Sequence, residues 1–183
     1  MGQYHHVVNL DKREFLYSHK AGSGFKAWEQ VANSQTTPAL MFYLMLCPTP
    51  RGGGDFEESP YMGRWHGDRV VIVGDYAEIG DFDSPVDPDL IWTLCGESEA
   101  EVREMCAEFL AEDDIYGRHD LARRALEALD NGGMFTDITE EAVRDYAKGH
   151  GYLTVMKSAQ YGMISVVEEQ DLEDAKARGL IPA

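Results

Sequence analysis

The residues of this 183-residue chain that are best suited to chemistry lie between Gly63 and Glu78, in the sequence GRWHGDRVVIVGDYAE. An unperturbed histidine side chain has a pKa of about 6.5, so a histidine such as His66 can serve as a general acid or base near neutral pH. Asp75 follows a short apolar run that predicts a buried strand, and a carboxylate at a strand end can hold a metal or a substrate hydroxyl. The segment therefore predicts His66 and Asp75 as candidate catalytic residues at the rim of a sheet.

Arginines and a glycine-rich loop lie near this pair in the sequence. Residues 51–55 read RGGGD, and glycines such as Gly53 let backbone N–H groups approach an anion. Arg51, Arg64 and Arg69 can neutralise a phosphate or a carboxylate. The loop lacks the Lys-Ser/Thr pair of a P-loop and the spacing of a dinucleotide fingerprint. These four residues are therefore candidate anion-binding residues without a nucleotide motif.

Each candidate also has a structural interpretation. Trp65 can anchor a turn to the core and leave His66 in solvent, and the RGGGD loop can be a plain flexible turn. Asp75 can cap the turn that follows Gly74. The sequence leaves both interpretations open.

A metal site is not expected. Gly-Asp at 74–75, GRHD at 117–120 and KGHG at 148–151 resemble, in order, blocks of the metallophosphoesterases, which hold paired metals through Asp, Asn and His. The Asp-x-His block that opens that family is absent, and Arg118 stands where the family has a ligating Asn. Because an arginine does not ligate a metal, we expect neither a metal nor another cofactor.

Hydrophobic patterns predict the elements that position these groups. Strands are expected over residues 4–10, 13–17, 69–73, 90–94, 152–156 and 163–167, the first two forming a hairpin. Helices are expected over residues 25–32, 98–110, 120–129, 139–149 and 171–178. The helix from Ser98 opens with a capping box completed by Glu101. The run Ala39–Cys47 has no clear period and fits either a helix or a strand.

The order of these elements predicts the fold class. Residues 1–97 are mainly strands and loops, residues 98–149 are helical and acidic, and residues 150–183 add closing strands and a helix. The pattern lacks regular βαβ alternation, and no linker divides it. We therefore predict a single α+β domain over residues 1–183, with a central mixed or antiparallel sheet and a cluster of helices from the acidic middle segment.

The first predicted helix, residues 25–32, has a specific apolar face. Phe25, Trp28, Val31 and Ala32 recur at helical spacing, so we expect them to face the core.

Charge is concentrated in the middle of the chain. The net charge is −17, and residues 78–145 hold 20 acidic and 5 basic side chains, a net charge of −15. Such a surface repels a phosphate backbone, so direct binding to a nucleic-acid backbone is not expected. It is either a solvated surface that aids solubility or a surface that meets a basic partner or imitates nucleic acid.

Several features predict a cytoplasmic protein that does not enter a membrane. The longest apolar run, Ala39–Cys47, has nine residues, whereas a bilayer span needs roughly 20. The polar N-terminus lacks the apolar region of a secretory signal. Cys47, Cys95 and Cys106 lie in apolar surroundings without metal-type spacing, so we expect buried thiols in a reducing compartment.

The first 80 residues also resemble a known family. The opening MGQYHHVVNLDKREFLYSHKAGSGFKAWEQ, RGGGDF at 51–56 and GRWHGDRVVIVGDYAE at 63–78 are similar to a family of uncharacterised proteins from actinobacteria, their phages and some other microbes. The resemblance implies a stand-alone cytoplasmic protein and is compatible with a phage origin. It implies no reaction and no catalytic residues.

Two functions follow from these observations. The first is a non-enzymatic binding protein, whose acidic helical surface meets a protein partner, in particular a basic one. The alternative is a small enzyme or a binding protein for a phosphate-bearing or anionic small molecule. Its site would lie near RGGGD and the strand that ends at Asp75. Neither the oligomeric state nor the partner follows from the sequence.

Overall fold

The computed structural model describes residues 3–21, 26–32, 37–47, 59–81, 83, 85–114, 116–157 and 163–178. In these ranges the chain has an α+β architecture of helices, a four-stranded sheet and a two-stranded sheet, which confirms the predicted fold class. The chain folds into two compact units. The first comprises residues 1–15 and 69–137, and the second comprises residues 16–68 and 138–183. The single domain predicted over residues 1–183 stays a prediction.

The first unit is organised around a mixed sheet. Its strands are β1 His5–Asn9, β2 Glu14–Leu16, β3 Val70–Gly74 and β4 Thr136–Asp137, in the order β3-β1-β2-β4. β1 pairs antiparallel with β3, and β2 pairs parallel with β4. The predicted hairpin and the predicted strand over residues 69–73 are confirmed. β4 was not predicted, because two residues carry no periodicity.

Helix α3, Pro88–Leu94, corrects the strand predicted over residues 90–94. Asp87 caps the helix, and its carboxylate accepts a hydrogen bond from the Leu90 N–H at 3.3 Å. Pro88 lies in the first turn, where a missing N–H costs no hydrogen bond. The β-branched and aromatic residues of LIWTL favour a strand only weakly, so the two helix-start signals prevail.

Helices α4, Glu99–Ala111, and α5, Arg118–Asp130, pack against each other and confirm two predicted helices. The predicted cap is also present, since the Glu101 N–H donates to the Ser98 hydroxyl at 3.2 Å. The buried residues that hold α3, α4 and α5 together are Leu94, Val102, Cys106, Ala122, Ala125 and Leu129.

The second unit combines four helices with a two-stranded antiparallel sheet, within the described residues. The helices are α1 Ala27–Ala32, α2 Thr37–Met45, α6 Thr139–His150 and α7 Glu169–Ala177. The strands are β5 Leu153–Lys157 and β6 Ile164–Glu168. The predicted strands and the last two predicted helices are confirmed, except that α6 continues past Gly149 and is capped by Gly151 in the left-handed region, at φ 68°.

The run Ala39–Cys47, which fits helix or strand by sequence, belongs to α2 as far as Met45. Cys47 lies beyond the end of this helix and is exposed, so the prediction that it is buried is wrong. Cys95 and Cys106 are buried as predicted. Within the described ranges, no helix has both the length and the apolar character needed to cross a bilayer.

The predicted apolar face of α1 is wrong for two of its side chains. Trp28 is 79% exposed and Val31 is 67% exposed, whereas Gln30 is buried. Phe25 and the side chain of Ala32 lie outside the described part of the chain. A helix of six residues has fewer than two turns, so its spacing defines a face only weakly and tertiary contacts decide which side is buried.

Candidate functional site

Trp65 anchors the loop that carries Arg64 and His66 to the second unit. The Trp65 side chain is fully buried. Its backbone N–H donates to the Leu44 carbonyl at 2.8 Å, and the Gly63 N–H donates to the Tyr43 carbonyl at 3.0 Å. Both carbonyls belong to the end of α2, where no further helical turn is available to pair them. The loop is therefore fixed to the end of α2.

The two candidate side chains of this loop have different surroundings. His66 is exposed, and its backbone N–H closes a turn by donating to the Gly63 carbonyl at 2.9 Å. The Arg64 guanidinium lies over the Tyr61 ring, 5.3 Å from its centroid, in a cation–π arrangement. This geometry matches the structural interpretation, in which Trp65 holds the turn and His66 faces solvent.

Arg69 and Asp75, the other two described candidates, belong to the first unit and extend the pairing of β1 with β3. The Arg69 guanidinium donates to the Asp11 carboxylate from Nε at 2.8 Å and from Nη2 at 2.7 Å. These hydrogen bonds hold the pKa of Asp11 below its usual range. At the other end of the strand, Asp75 Oδ1 accepts from the Tyr4 N–H at 2.9 Å. Both side chains therefore have structural partners.

Arg69 and Asp75 lie on either side of β3, so the strand separates them. A strand rises about 3.3 Å per residue, which places the two residues on the order of 20 Å apart. A small ligand at one end of the strand therefore does not contact both residues. The remaining candidates, Arg51 and Gly53, lie outside the described residues.

A hydrogen-bonded cluster in the second unit has no counterpart in the sequence-based predictions. The fully buried Tyr43 donates from its hydroxyl to Asp145 Oδ2 at 2.7 Å and lies 2.6 Å from the Ser59 hydroxyl. Ser59 also hydrogen-bonds to Asp145 and accepts from the Met62 N–H at 3.1 Å. Burial raises the pKa of Tyr43. The cluster joins α2, α6 and the turn at Ser59, so we interpret it as structural.

An ion-pair cluster in the first unit joins α3 to α5. Arg124 of α5 donates to Asp87, to Asp89 at 3.0 Å and to Asp120 at 2.8 Å. Burial raises the pKa of Asp87, and the adjacent Asp89 carboxylate acts in the same direction. Because Asp87 is also the cap of α3, Arg124 holds the beginning of that helix against α5. No signal in the sequence pairs Arg124 with Asp87 and Asp89, which lie 37 and 35 positions before it.

The most distinctive charged feature is a row of glutamates on α4. Glu101, Glu104 and Glu108 are spaced by three and four residues, which places them on one face of the helix. We call these three residues the acidic row. All three are exposed, and among the described residues none of their carboxylates has an ion-pair partner. The opposite face holds Val102 and Cys106, which are buried.

The acidic row continues into an acidic C-terminal end of α4. Glu112, Asp113 and Asp114 follow the helix and are exposed, and its last turn contains no basic residue. The C-terminus of a helix has a partial negative charge, so carboxylates there are unfavourable by a few tenths of a kcal/mol each. Asp114 is partly compensated, since it accepts from the His119 N–H at 3.1 Å. The arrangement therefore leaves a concentrated negative charge on one helix.

Comparison of the chain with family models, with curated proteins and with solved structures finds no match.

Proposed function

We propose that this protein binds a basic protein partner through the acidic surface of α4, without catalysing a reaction. The observation that supports the proposal is the acidic row, with Glu101, Glu104 and Glu108 exposed on one face and unpaired within the described residues. Neighbouring like charges at this spacing destabilise a helix by about 0.2–0.5 kcal/mol per pair. A basic partner would remove that cost on binding.

The charge pattern favours a partner rather than a merely solvated surface for a local reason. Several acidic side chains of the same helices are neutralised: Glu99 pairs with Arg103, and Asp120 pairs with Arg124. Glu127 of α5 is a single exposed glutamate without an ion pair among the described residues, and it does not form a row. The acidic row and the residues that follow α4 lack such neighbours among the described residues, except for Asp114. An uncompensated row raises the association rate of a basic protein by electrostatic steering.

The alternative, an enzyme or a binding protein for anionic small molecules, has no comparable support. Arg69 is neutralised by Asp11, and Asp75 accepts a backbone hydrogen bond at the end of its strand. We therefore do not propose it.

Affinity capture tests the proposed function. The bait would be the whole protein, and the lysate would come from an actinobacterium, the group suggested by the resemblance of the first 80 residues. A variant with Glu101, Glu104 and Glu108 all changed to Gln removes the acidic row. A second variant has Glu127, Glu141 and Glu169, three other exposed glutamates, changed to Gln. Its net charge equals that of the row variant.

We expect a basic protein to be captured by the wild type and by the second variant but not by the row variant. Capture should weaken between ~50 and ~500 mM salt, because salt screens exposed charges. The captured protein would then be purified and its Kd measured with all three forms. Equal affinity for the row variant and the control variant, or no captured basic protein, would exclude this function.

A further inference from the structure

Among the described residues, the outer edge of β3 is not paired with another strand. β3 is the first strand in the order β3-β1-β2-β4, so only one of its edges is paired within the sheet. The Asp75 N–H bonds to the Tyr4 carbonyl and the Leu10 N–H bonds to the Arg69 carbonyl. Because antiparallel partners alternate, these bonds fix which residues of β3 face β1 and which face outward. Val71 and Val73 bond to β1, and the N–H and C=O groups of Val70 and Ile72 point outward.

Those outward groups have no partner in the described chain, since neither Val70 nor Ile72 makes a further backbone or side-chain hydrogen bond there. Proteins usually protect a free strand edge with lysine, proline or a bulge. β3 has none of these: its sequence is VVIVG, and its pairing with β1 is regular over five residues. Ile72 is 58% exposed. An open edge with an exposed apolar side chain is suited to strand addition.

A groove of about 330 Å³ runs beside this edge. Its lining is mostly apolar and includes Val71, Ile72, Val73, Ala77 and Val86. Among the described lining residues, Glu78 is the one acidic residue, and there is no lysine or arginine. The groove can therefore take the apolar side chains of an extended segment while its rim attracts a positive charge.

The acidic residues near the groove also indicate which kind of segment would bind there. Asp81 lies beside Glu78, since its Oδ2 accepts from the Glu78 N–H at 2.9 Å, and Asp83 follows two positions later; both are exposed. Two copies of this chain paired edge to edge would bring these like charges together, and each chain has a net charge of −17. Repulsion of that kind disfavours self-association. A segment that alternates apolar and basic residues can bond to the outward backbone groups of β3 and place its apolar side chains in the groove. Its basic side chains then lie near the acidic rim.

We propose that the edge of β3 binds an extended peptide segment of another protein, with alternating apolar and basic residues, by adding it to the sheet as a fifth strand. Val70 and Ile72 supply the backbone hydrogen bonds, the groove takes the apolar side chains, and Glu78 attracts a lysine or an arginine. The site is separate from the acidic row of α4 and does not depend on the function proposed for it.

The probe is an octapeptide of alternating valine and lysine with blocked termini. Fluorescence anisotropy measures its Kd, and amide hydrogen exchange of the whole protein reports the pairing. We expect binding to slow exchange at the Ile72 N–H at least tenfold. Two further peptides have N-methyl groups on all the valines or on all the lysines. Since alternate residues of a strand bond to the same side, one of the two should lose binding and the other should retain it.

Protein variants locate the site. Ile72→Lys and Ile72→Pro should weaken peptide binding at least tenfold, the proline because it removes an outward N–H that is not used within the sheet. Val31→Lys introduces the same charge at a side chain of α1 that is 67% exposed and does not line the groove, and it should leave the Kd unchanged. The variant that lacks the acidic row should also bind the peptide as the wild type does. Circular dichroism checks that each variant is folded. If Ile72→Pro is unfolded, the test rests on Ile72→Lys alone.

Four results would overturn the proposal: no binding of the valine–lysine peptide, equal binding to Ile72→Lys and Val31→Lys, retention of binding by both N-methylated peptides, and equal binding of a valine–glutamate peptide. Sedimentation that reveals a dimer abolished by Ile72→Lys would overturn it as well, because a second copy would then be the occupant. Loss of binding in the row variant alone would assign the peptide to α4 instead.

Discussion

The imidazole of His6 stacks on the indole of Trp92, with ring centroids 4.1 Å apart and planes 10° from parallel. His6 lies on β1 and Trp92 on α3, so the stack fastens the helix to the sheet of the first unit. Burial lowers the pKa of His6 to about 4, against the opposing effect of the nearby Asp137 carboxylate. The folded protein therefore holds this histidine in its neutral form.

This stack predicts a loss of stability in mild acid. The unfolded chain binds a proton at His6 near pH 6.5, whereas the folded chain does so only near pH 4. The contribution of neutral His6 to the free energy of unfolding is therefore fully present above about pH 6.5 and is lost as the pH falls to about 4. A shift of this size corresponds to roughly 3 kcal/mol in the free energy of unfolding.

Urea unfolding at several pH values would measure the effect. His6→Phe keeps an aromatic partner for Trp92 but cannot titrate, so its stability should fall less than that of the wild type between pH 6.5 and pH 4. His66→Gln changes an exposed histidine and should follow the wild-type profile. Identical profiles for wild type and His6→Phe would contradict the prediction.

Arg124 should contribute more to stability than its neighbour in the sequence. Arg124→Ala leaves Asp87 and Asp89 facing each other without their shared cation, and we expect the free energy of unfolding to fall by about 2 kcal/mol. Arg123→Ala changes an exposed arginine of the same helix and should have an effect within about 0.5 kcal/mol. Chemical denaturation of both variants gives the comparison, and equal losses would mean that the ion-pair cluster is not stabilising.

Two tryptophans allow a matched test of burial. Trp65 is fully buried and holds its loop to α2, so Trp65→Ala should cost about 3–5 kcal/mol. Trp28 is 79% exposed, and Trp28→Ala should change stability by no more than about 0.5 kcal/mol. Thermal and chemical unfolding would measure both. A large loss for Trp28→Ala would show that this side chain is covered in solution.

The three cysteines should differ in reactivity. Cys47 is exposed, whereas Cys95 and Cys106 are buried, and burial raises the pKa of both thiols. Since the thiolate is the reactive form, we expect a thiol reagent to modify Cys47 alone in the native protein and all three in denaturant. Mass spectrometry after brief labelling counts the modified sites. Rapid native labelling of Cys95 or Cys106 would indicate that the core formed by α3, α4 and α5 opens readily.

Local signals in the sequence were sufficient for several elements. Ser98 and Glu101 predict the start of α4, and the same pair makes the capping hydrogen bond in the structure. The strand over residues 69–73 follows from a continuous β-branched run. In these places local preference and tertiary packing agree. The misassigned helix α3 had comparable signals in Asp87 and Pro88, so it was predictable from its start rather than from its composition.

Other features depend on contacts between distant residues and leave no local trace. The Arg69–Asp11 pair spans 58 positions, and the Tyr43–Asp145 hydrogen bond spans 102. Periodicity reports which residues favour burial, but it does not say which distant side chain will meet them. For the same reason the sequence predicts Arg69 and Asp75 as candidate site residues, but it does not show that each side chain has a structural partner.

The order of the strands also determines when the sheet can form during synthesis. β1 and β2 are made first, yet β1 pairs with residues 70–74 and β2 pairs with residues 136–137. Translation at about 5–20 residues per second separates β2 from its partner β4 by on the order of ten seconds. During that interval the N-terminal hairpin leaves the ribosome with hydrogen-bonding edges unpaired. Premature termination before Thr136 therefore yields a chain that cannot complete its sheet.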